Sequence, residues 1–201
     1  MKKGDFTNLA NDYAKYRPAY NMDVINDVLR SLSGNTNSIR AVDIGAGTGI
    51  FTKCLIDAGV NNITAVEPNA DMRTVGRKFL PKNVKLLAGS AESTGLQSQC
   101  FDLVTMASSF HWPKTSVALE EFDRILCPNG VFCALWNPRL TERSASESEI
   151  QELLIEKYNV VSRVSSGLSG ITSELREILT KCGIFRSVTY VDAVDVVQRS
   201  H

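Results

Sequence analysis

A glycine-rich turn near residue 45 has the clearest potential for chemistry in this sequence. An apolar run at 39–44 leads directly into Gly45-Ala46-Gly47-Thr48-Gly49, and a helical pattern follows. Glycines let the backbone turn tightly and lie against a ligand, and the free N–H groups at a helix start favour a negatively charged group. Open α/β sheets bind their ligands at such strand-to-helix turns. We therefore expect the turn to cradle a small molecule with an anionic part.

One carboxylate follows the next apolar run along the chain. Glu67 comes directly after the run at 63–66, and at the end of a second strand its carboxylate can accept two hydrogen bonds from a ribose diol. The turn reads G-x-G-x-G behind Asp43, whereas a dinucleotide-binding fingerprint needs a third glycine at the place of Ile50. This spacing disfavours a nicotinamide cofactor. The alternative for Glu67 is a local role in starting the following helix.

The elements that position these groups are short apolar runs alternating with helical stretches. This alternation predicts an α/β fold with a doubly wound, mostly parallel sheet and helices on both faces. The predicted strands are 39–44, 63–66, 84–88, 101–106, 131–136 and 185–191. The predicted helices are two pieces within 5–32 that break at Arg17-Pro18, then 49–59, 70–80, 114–127, 147–164 and 173–182, with a loop at 165–170.

Six segments have an order and spacing that is specific when they are taken together. They are Tyr13-Ala14-Lys15-Tyr16-Arg17-Pro18-Ala19-Tyr20, Val42-Asp43-Ile44-Gly45-Ala46-Gly47-Thr48-Gly49, Val66-Glu67-Pro68-Asn69 with Met72, Gly89-Ser90-Ala91-Glu92, Ser109-Phe110-His111-Trp112 and Arg124-Ile125-Leu126-Cys127-Pro128-Asn129-Gly130. The set resembles the class I S-adenosylmethionine-dependent methyltransferases, and within them the small-molecule group called methyltransferase type 11. Asn129 stands where that family usually has a second glycine, and asparagine tolerates the same positive φ.

The resemblance implies a site for S-adenosylmethionine across three successive strand ends. The glycine-rich turn would cradle the methionine part, Glu67 would hold the ribose hydroxyls, and residues after the second and third strands would line the adenine and its polar edge. Such a cofactor needs backbone donors, an acidic residue and apolar or amide surface. The candidate cofactor-binding residues are Asp43, Gly45, Ala46, Gly47, Thr48, Glu67, Pro68, Asn69, Met72, Ala91, Glu92 and Ala107.

The N-terminal segment adds further candidates. By the same resemblance, Tyr16 and Arg17 close over the cofactor together with Tyr13, and Arg17 could pair with its carboxylate through two hydrogen bonds. The alternative is that these residues form a solvated helix face.

The reaction that the resemblance implies makes few demands on catalytic groups. Methyl transfer from a sulfonium is an in-line displacement whose leaving group already carries the positive charge, so positioning and exclusion of water supply most of the acceleration. No nucleophile and no metal are required. His111 is the one histidine inside the predicted fold and the candidate general base, ahead of Ser108 and Ser109. The alternative is that His111 and Trp112 are wall residues of the site.

Composition and charge narrow the class of partner. The 22 basic and 22 acidic residues cancel, and the basic ones are scattered, which disfavours nucleic acid. No apolar run approaches the ~20 residues of a membrane helix, and the five cysteines contain no C-x-x-C pair. We expect a cytoplasmic chain with reduced thiols and no metal, which binds a small-molecule methyl acceptor but neither nucleic acid nor membrane, as a monomer or weak homodimer.

The end of the chain modifies this expectation. We expect a single domain over 1–201, with a helical cap at 1–35, a cofactor-binding core at 36–137, and C-terminal helices with the sixth strand at 138–201. The family ends with an antiparallel seventh strand between the fifth and the sixth, and this chain stops too early for it. The predicted strand at 185–191 would either take that place or leave the edge unpaired.

Two other functions stay open. One is a protein that binds S-adenosylmethionine without catalysis; the other, less favoured, is an NAD(P)-dependent reductase. Amino-methyltransferases of DNA, protein and rRNA carry Asn or Asp, two prolines and an aromatic residue after the fourth strand, where this chain reads Ala107-Ser108-Ser109-Phe110-His111. Carbon, oxygen and nitrogen acceptors all remain open.

Overall fold

A computed structural model describes residues 9–32, 35–137, 171–191 and 193 of the chain. The elements in chain order are α1 (Ala10–Tyr16), α2 (Met22–Ser31), a short 3-10 helix (Thr36–Ser38), β1 (Arg40–Ile44), α3 (Ile50–Asp57), β2 (Asn62–Val66), α4 (Ala70–Phe79), β3 (Lys85–Leu87), β4 (Phe101–Ala107), α5 (Thr115–Ile125), β5 (Leu126–Leu135) and α6 (Ile171–Lys181). The predicted helix at 147–164 and the loop at 165–170 lie outside the described residues.

The strands form a five-stranded sheet in the order β3-β2-β1-β4-β5, and every neighbouring pair is parallel. In this register Asp43 lies opposite Ala65 on one side and Thr105 on the other. The carboxyl ends of β1, β2 and β4 therefore meet at one edge, and the chain order reverses between β1 and β4. This arrangement confirms the predicted doubly wound sheet and puts a ligand-binding crevice at the glycine-rich turn.

Two apolar clusters cover the two faces of the sheet. On one face the buried side chains of α5, including Phe122 and Ile125, pack with Leu175 and Leu179 of α6. On the other face residues of α2 and α3, among them Leu29, pack against β1 and β2. Fully burying one such side chain stabilises the fold by about 1.5–3 kcal/mol. This layered packing explains why every residue of β1 and β2 after the first is buried.

The prediction of a sixth strand at 185–191 is wrong. These residues have no strand pairing, and within the described part of the chain β5 has a strand neighbour only on its β4 side. The Phe185 ring instead stacks on Phe132, with 5.8 Å between the ring centroids, and Arg186 Nη1 donates to Asn129 Oδ1 at 3.2 Å. A segment rich in residues with high β-propensity suits a half-buried surface, but it does not have to form hydrogen bonds with a neighbouring strand. Packing against the apolar cluster half-buries Phe185 and Val188, while Tyr190 and Val191 stay exposed.

The start of β5 also differs from the prediction. The Pro128-Asn129-Gly130 turn was expected to precede the strand, but β5 begins at Leu126 and contains the turn as an irregularity, with a register shift opposite Phe101 and Leu103. Asn129 has φ 66°, which confirms the prediction that asparagine tolerates a positive φ there. None of the helices in the described ranges is long and apolar enough to cross a membrane.

Candidate active site

The glycine-rich turn has a left-handed backbone at Gly45, Gly47 and Gly49. A Cβ at Gly45 would lie 2.8 Å from Ser109 Cβ, and one at Gly49 would lie 2.6 Å from Leu80 Cδ1. Only glycine satisfies both the φ values and the space at these two positions. At Gly47 the nearest atom to a Cβ would be Tyr13 Cε1 at 4.0 Å. The middle of the turn therefore opens toward α1, while its two ends are packed.

Asp43 lies beneath the turn and is completely buried. Its Oδ2 accepts a hydrogen bond from Thr52 Oγ1 at 2.6 Å, and its Oδ1 accepts one from Thr105 Oγ1 at 3.2 Å. Burial raises the pKa of Asp43 to about 7, although the two hydroxyls act in the opposite direction. The carboxyl group thus ties β1 to α3 and β4. Thr48 is equally buried and does not line the pocket above the turn.

Glu67 joins the ends of β1 and β2. Its Oε2 accepts from the backbone N–H of Gly47 and its Oε1 from that of Asn69, both at 2.8 Å. Burial raises the pKa of Glu67, and these N–H groups oppose the rise. The residue is only 7% exposed. The N-cap of α4 is Asn69, whose Oδ1 accepts from the N–H groups of Asp71 and Met72. Glu67 therefore supports the start of that helix through the N–H of Asn69, and in addition it binds the glycine-rich turn through Gly47.

The residues expected around an adenine lie along the edge next to Glu67. Asn69 is half-buried, Pro68 exposed and Met72 almost fully buried. Ala91 is buried after β3, and the neighbouring Glu92 accepts from the N–H of Lys114 at 2.9 Å. Lys114 precedes α5, so Glu92 fixes the start of that helix in addition to any contact with a ligand. The sheet thus brings these predicted residues to one edge.

The N-terminal segment forms a roof over the turn. A narrow pocket with a cavity volume of about 20 Å³ lies beneath it. Because sites for small molecules measure roughly 300–1,000 Å³, we expect α1 to shift when a cofactor enters. The lining residues are Tyr13, Arg17, Tyr20, Asp43, Gly45, Ala46, Gly47, Ile50, Phe51 and Ala107.

Two side chains fasten this roof to the residue after β4. Arg17 Nη2 and the Tyr20 hydroxyl both donate to Ser108 Oγ, at 2.9 and 3.0 Å. Burial raises the pKa of Tyr20 to about 12, so the hydroxyl stays a donor. Ser108 has φ 52°, a left-handed conformation that a serine adopts at some energetic cost. We call these three side chains the latch.

The structure differs from the expectation at two N-terminal positions. Tyr16 was expected to close over the ligand, but it is 66% exposed and lies outside the pocket, with Lys15 Nζ 5.0 Å from its ring centroid. Tyr20 takes part in the roof and had no predicted role. The aromatic residues around Arg17 signalled a surface-covering segment, but the hydroxyl's partner is 88 residues away along the chain and could not be read from local sequence.

The aromatic side chains of His111, Trp112 and Trp136 lie together at the carboxyl ends of β4 and β5; we call them the aromatic group. The ring centroids of His111 and Trp112 are 4.4 Å apart, and Trp136 Nε1 donates to His111 Nδ1 at 3.4 Å. Trp112 is 44% exposed. His111 and Trp112 do not line the small pocket. Ser109 Oγ donates to the carbonyl of Ile44 at 3.2 Å, so its hydroxyl supports the turn. No group of three or more potential metal ligands occurs among the described residues.

Comparisons with known proteins agree with this architecture. Residues 42–134 match a family model described as a methyltransferase domain. The chain is 34% identical over 149 residues to an uncharacterised methyltransferase of Mycobacterium bovis, covering 74% of this chain and 58% of the relative. It is 37% identical over 128 residues to an uncharacterised methyltransferase-like protein of Schizosaccharomyces pombe, covering 64% and 49%. The chain thus spans about half the length of the curated relatives that it matches.

A solved structure shares the fold. A SAM-dependent methyltransferase of Thermotoga maritima, where SAM is S-adenosylmethionine, matches with a TM-score of 0.55 at 25% identity, over 89% of this chain and 78% of that protein. The family segment at 42–134 runs from within β1 to within β5 and includes the glycine-rich turn and Glu67. The resemblance seen in the sequence is confirmed: residues 42–134 belong to the methyltransferase domain family, and the chain has the class I, Rossmann-like fold of that family.

Proposed function

We propose that this chain is an S-adenosylmethionine-dependent methyltransferase that acts on a small molecule. The observation that carries the proposal is the Glu67 carboxylate, which two backbone N–H groups hold between the glycine-rich turn and the end of β2. A carboxylate offers about four lone-pair sites, so the hydroxyls of a ribose diol can use those that remain. Because the backbone fixes the direction of these sites, little freedom is lost when the diol binds.

Neighbouring residues suit the other parts of the cofactor. The turn at Gly45, Ala46 and Gly47 approaches the methionine part with its backbone, while Asp43 and Thr48 support the turn from beneath. The edge beyond Glu67 offers amide, apolar and carboxylate groups to the adenine, and Ala107 closes the far side of the pocket. The residues proposed for the adenine are Pro68, Asn69, Met72, Ala91 and Glu92.

Arg17 has the chemistry to hold the carboxylate of the methionine part. It lines the pocket, its Nη2 donates to Ser108 Oγ, and its Nε is buried without a hydrogen-bond partner among the described residues. A buried N–H donor without an acceptor is costly, and a carboxylate can satisfy a guanidinium through two parallel hydrogen bonds. When α1 shifts to admit the cofactor, we expect Arg17 to break its hydrogen bond with Ser108 and to bind the carboxylate of the cofactor instead.

The bound cofactor supplies an activated methyl group, which the acceptor's electron pair takes as the carbon–sulfur pair leaves with the sulfur. The contribution of the chain is to orient the two partners and to keep water out. The roof of α1, with Tyr13 and Tyr20 beneath it, suits the second task once it closes over the cofactor.

The acceptor in this proposal is a small molecule rather than a nucleic acid. Its support is the balance of 22 basic and 22 acidic residues without a basic stripe. We extend the proposal to a cytoplasmic monomer or weak homodimer with one domain, in which 1–35 is the cap, 36–137 the cofactor-binding core, and 138–201 the C-terminal part.

A thermal-shift measurement separates this proposal from a reductase. S-adenosylhomocysteine at a hundredfold excess over its dissociation constant should stabilise the protein by ~2.7 kcal/mol, whereas NADH should leave the melting temperature unchanged. Stabilisation by NADH alone would overturn the proposal. Transfer of a labelled methyl group to any member of a panel of carbon, oxygen and nitrogen acceptors then separates an enzyme from a binding protein without catalysis.

A further inference from the structure

The aromatic group at the ends of β4 and β5 defines the chemistry of His111. The two strands pair in parallel up to Ala107 and Leu135, and the N–H of Ser108 donates to the carbonyl of Leu135 at 2.8 Å. Trp136 is the next residue after β5, so this register brings it beside the loop that carries His111. The contact between Trp136 Nε1 and His111 Nδ1 is 3.4 Å long.

The donor in this contact is unambiguous, because an indole N–H can only donate. His111 Nδ1 must therefore supply a lone pair. A neutral imidazole has one nitrogen that carries hydrogen and one that accepts, so the hydrogen of His111 resides on Nε2. A hydrogen on Nδ1 would instead point at the indole hydrogen of Trp136.

We propose that Trp136 is a positioning residue that holds neutral His111 as the Nε2–H tautomer, which makes His111 a hydrogen-bond donor through Nε2 and not a general base there. The part that concerns the reaction rests on the proposed methyltransferase function. A base at Nε2 needs its lone pair on that atom, and Trp136 keeps the lone pair on the other one.

This tautomer narrows the class of methyl acceptor. Where an acceptor reaches Nε2, His111 would donate to an oxygen or nitrogen lone pair on it rather than remove a proton from it. The proposal then favours a nucleophile that is already electron-rich at neutral pH, such as an ionised oxygen, a neutral amine or an enolate. An alcohol that needs His111 Nε2 to take its proton does not fit.

The chain is well suited to a direct test, because it contains only two histidines and two tryptophans. We would label histidine with 15N and record the ring-nitrogen signals at about pH 8.5, where a histidine is neutral, without cofactor or acceptor. His111→Phe assigns the signals, since His201 is the other histidine. We expect Nδ1 of His111 to show the shift of a lone-pair nitrogen and Nε2 that of an N–H nitrogen; the reverse pattern overturns the proposal.

Two variants test the part played by Trp136. In Trp136→Phe the Nδ1 signal of His111 should shift as expected for the loss of a hydrogen-bond donor. In Trp112→Phe, which keeps the donor and changes only the ring 4.4 Å from His111, the shift should be smaller. In His111→Phe the indole N–H of Trp136 should exchange with solvent about fivefold faster, because its acceptor is gone. An unchanged exchange rate would contradict the proposal. Because this rate is measured in His111→Phe, the test remains valid even if Trp136→Phe does not fold.

The tautomer of His111 and the binding of S-adenosylhomocysteine are measured separately, so either proposal can fail without the other. If His111 carries its hydrogen on Nδ1, this inference fails while S-adenosylhomocysteine binding is unaffected. If S-adenosylhomocysteine does not bind but the Nε2–H tautomer is found, the role of Trp136 stands and the methyltransferase proposal fails.

Discussion

The two halves of the ligand-binding edge are built in different ways. In the half formed by β1 and β2, Asp43 and Thr48 are fully buried, and Glu67 is held by two backbone N–H groups at 2.8 Å. In the half formed by β4 and β5, side chains hold other side chains: the latch fastens Ser108, and a 3.4 Å hydrogen bond joins Trp136 to His111. We call these the cofactor half and the acceptor half.

This difference in contacts indicates which part of the ligand-binding edge is preorganised. A backbone-held carboxylate keeps its direction whatever the neighbouring side chains do, whereas a contact between side chains can rearrange by changing rotamers. The carboxylate of Glu67 in the cofactor half should therefore keep its direction when single neighbouring side chains change. The acceptor half should respond more readily, and this suits a roof that must move before the cofactor enters.

The glycines of the turn give the largest expected effects. Gly49→Ala combines φ 88° with a Cβ 2.6 Å from Leu80 Cδ1, so we expect a loss of about 2–4 kcal/mol in the free energy of unfolding. Gly47→Ala, with φ 59° and open space, should lose only about 1–2 kcal/mol. The added methyl group at Gly47 faces the space below α1 and should weaken S-adenosylhomocysteine binding at least about tenfold.

Urea unfolding and calorimetry on the two variants measure these effects. If Gly47→Ala binds as the wild type does, the middle of the turn is not the cofactor surface. If Gly49→Ala unfolds at the same urea concentration as the wild type, the turn is not packed as described.

The buried carboxyl group of the cofactor half should give the protein a distinctive pH dependence. Burial raises the pKa of Asp43 from an ordinary 3.8 to about 7, so the folded state keeps a proton that the unfolded state releases. The contribution of Asp43 to stability is therefore complete below about pH 4 and is lost as the pH rises to about 7, by on the order of 2–4 kcal/mol. Asp43→Asn should reduce this fall and leave only the part that Glu67 contributes, because burial also raises the pKa of Glu67.

Asp102 provides the matched control for that measurement. The Arg40 guanidinium lowers the pKa of Asp102, so its contribution has the opposite sign and is lost only as the pH falls below about 4. Asp102→Asn should leave the fall between pH 4 and 7 intact. An equal slope in wild type and Asp43→Asn across that range would show that Asp43 is ionised in the folded protein.

The latch gives the smallest expected effect. Ser108→Ala removes the acceptor of Arg17 and Tyr20, and we expect it to cost about 1 kcal/mol in stability. Because the roof must open before a ligand enters, S-adenosylhomocysteine should associate about 2–5 times faster with this variant. Tyr20→Phe, which removes one of the two hydrogen bonds, should show a smaller acceleration in stopped-flow binding. Slower association in Ser108→Ala would mean that the latch does not close the site.

The sequence predicts the cofactor half better than the acceptor half, for a physical reason. Parallel strands bring their carboxyl ends to one edge, so the meeting of Gly47 and Glu67 follows from the order of the elements alone. The start of α3 at Ile50 likewise follows from the glycines before it. These features depend on neighbours in chain order and on backbone conformation.

Other features depend on partners far away along the chain. Within the run at 185–191, the Phe185 ring packs on Phe132, and local propensity cannot distinguish this packing from strand pairing. The attachment of Tyr20 to Ser108 and of Trp136 to His111 depends on rotamers and on the distance between two loops. Neither quantity can be read from spacing in the sequence.

Titration of S-adenosylhomocysteine into wild type and Glu67→Ala by calorimetry tests the central claim most directly, with Glu120→Ala, an exposed acidic residue, as the control. We expect one binding site per chain and an affinity loss of about 1.5–3 kcal/mol for Glu67→Ala, the size of a hydrogen bond to a charged group, with none for Glu120→Ala. A loss under about 1 kcal/mol in a folded Glu67→Ala variant would contradict the assignment of Glu67 to the ribose.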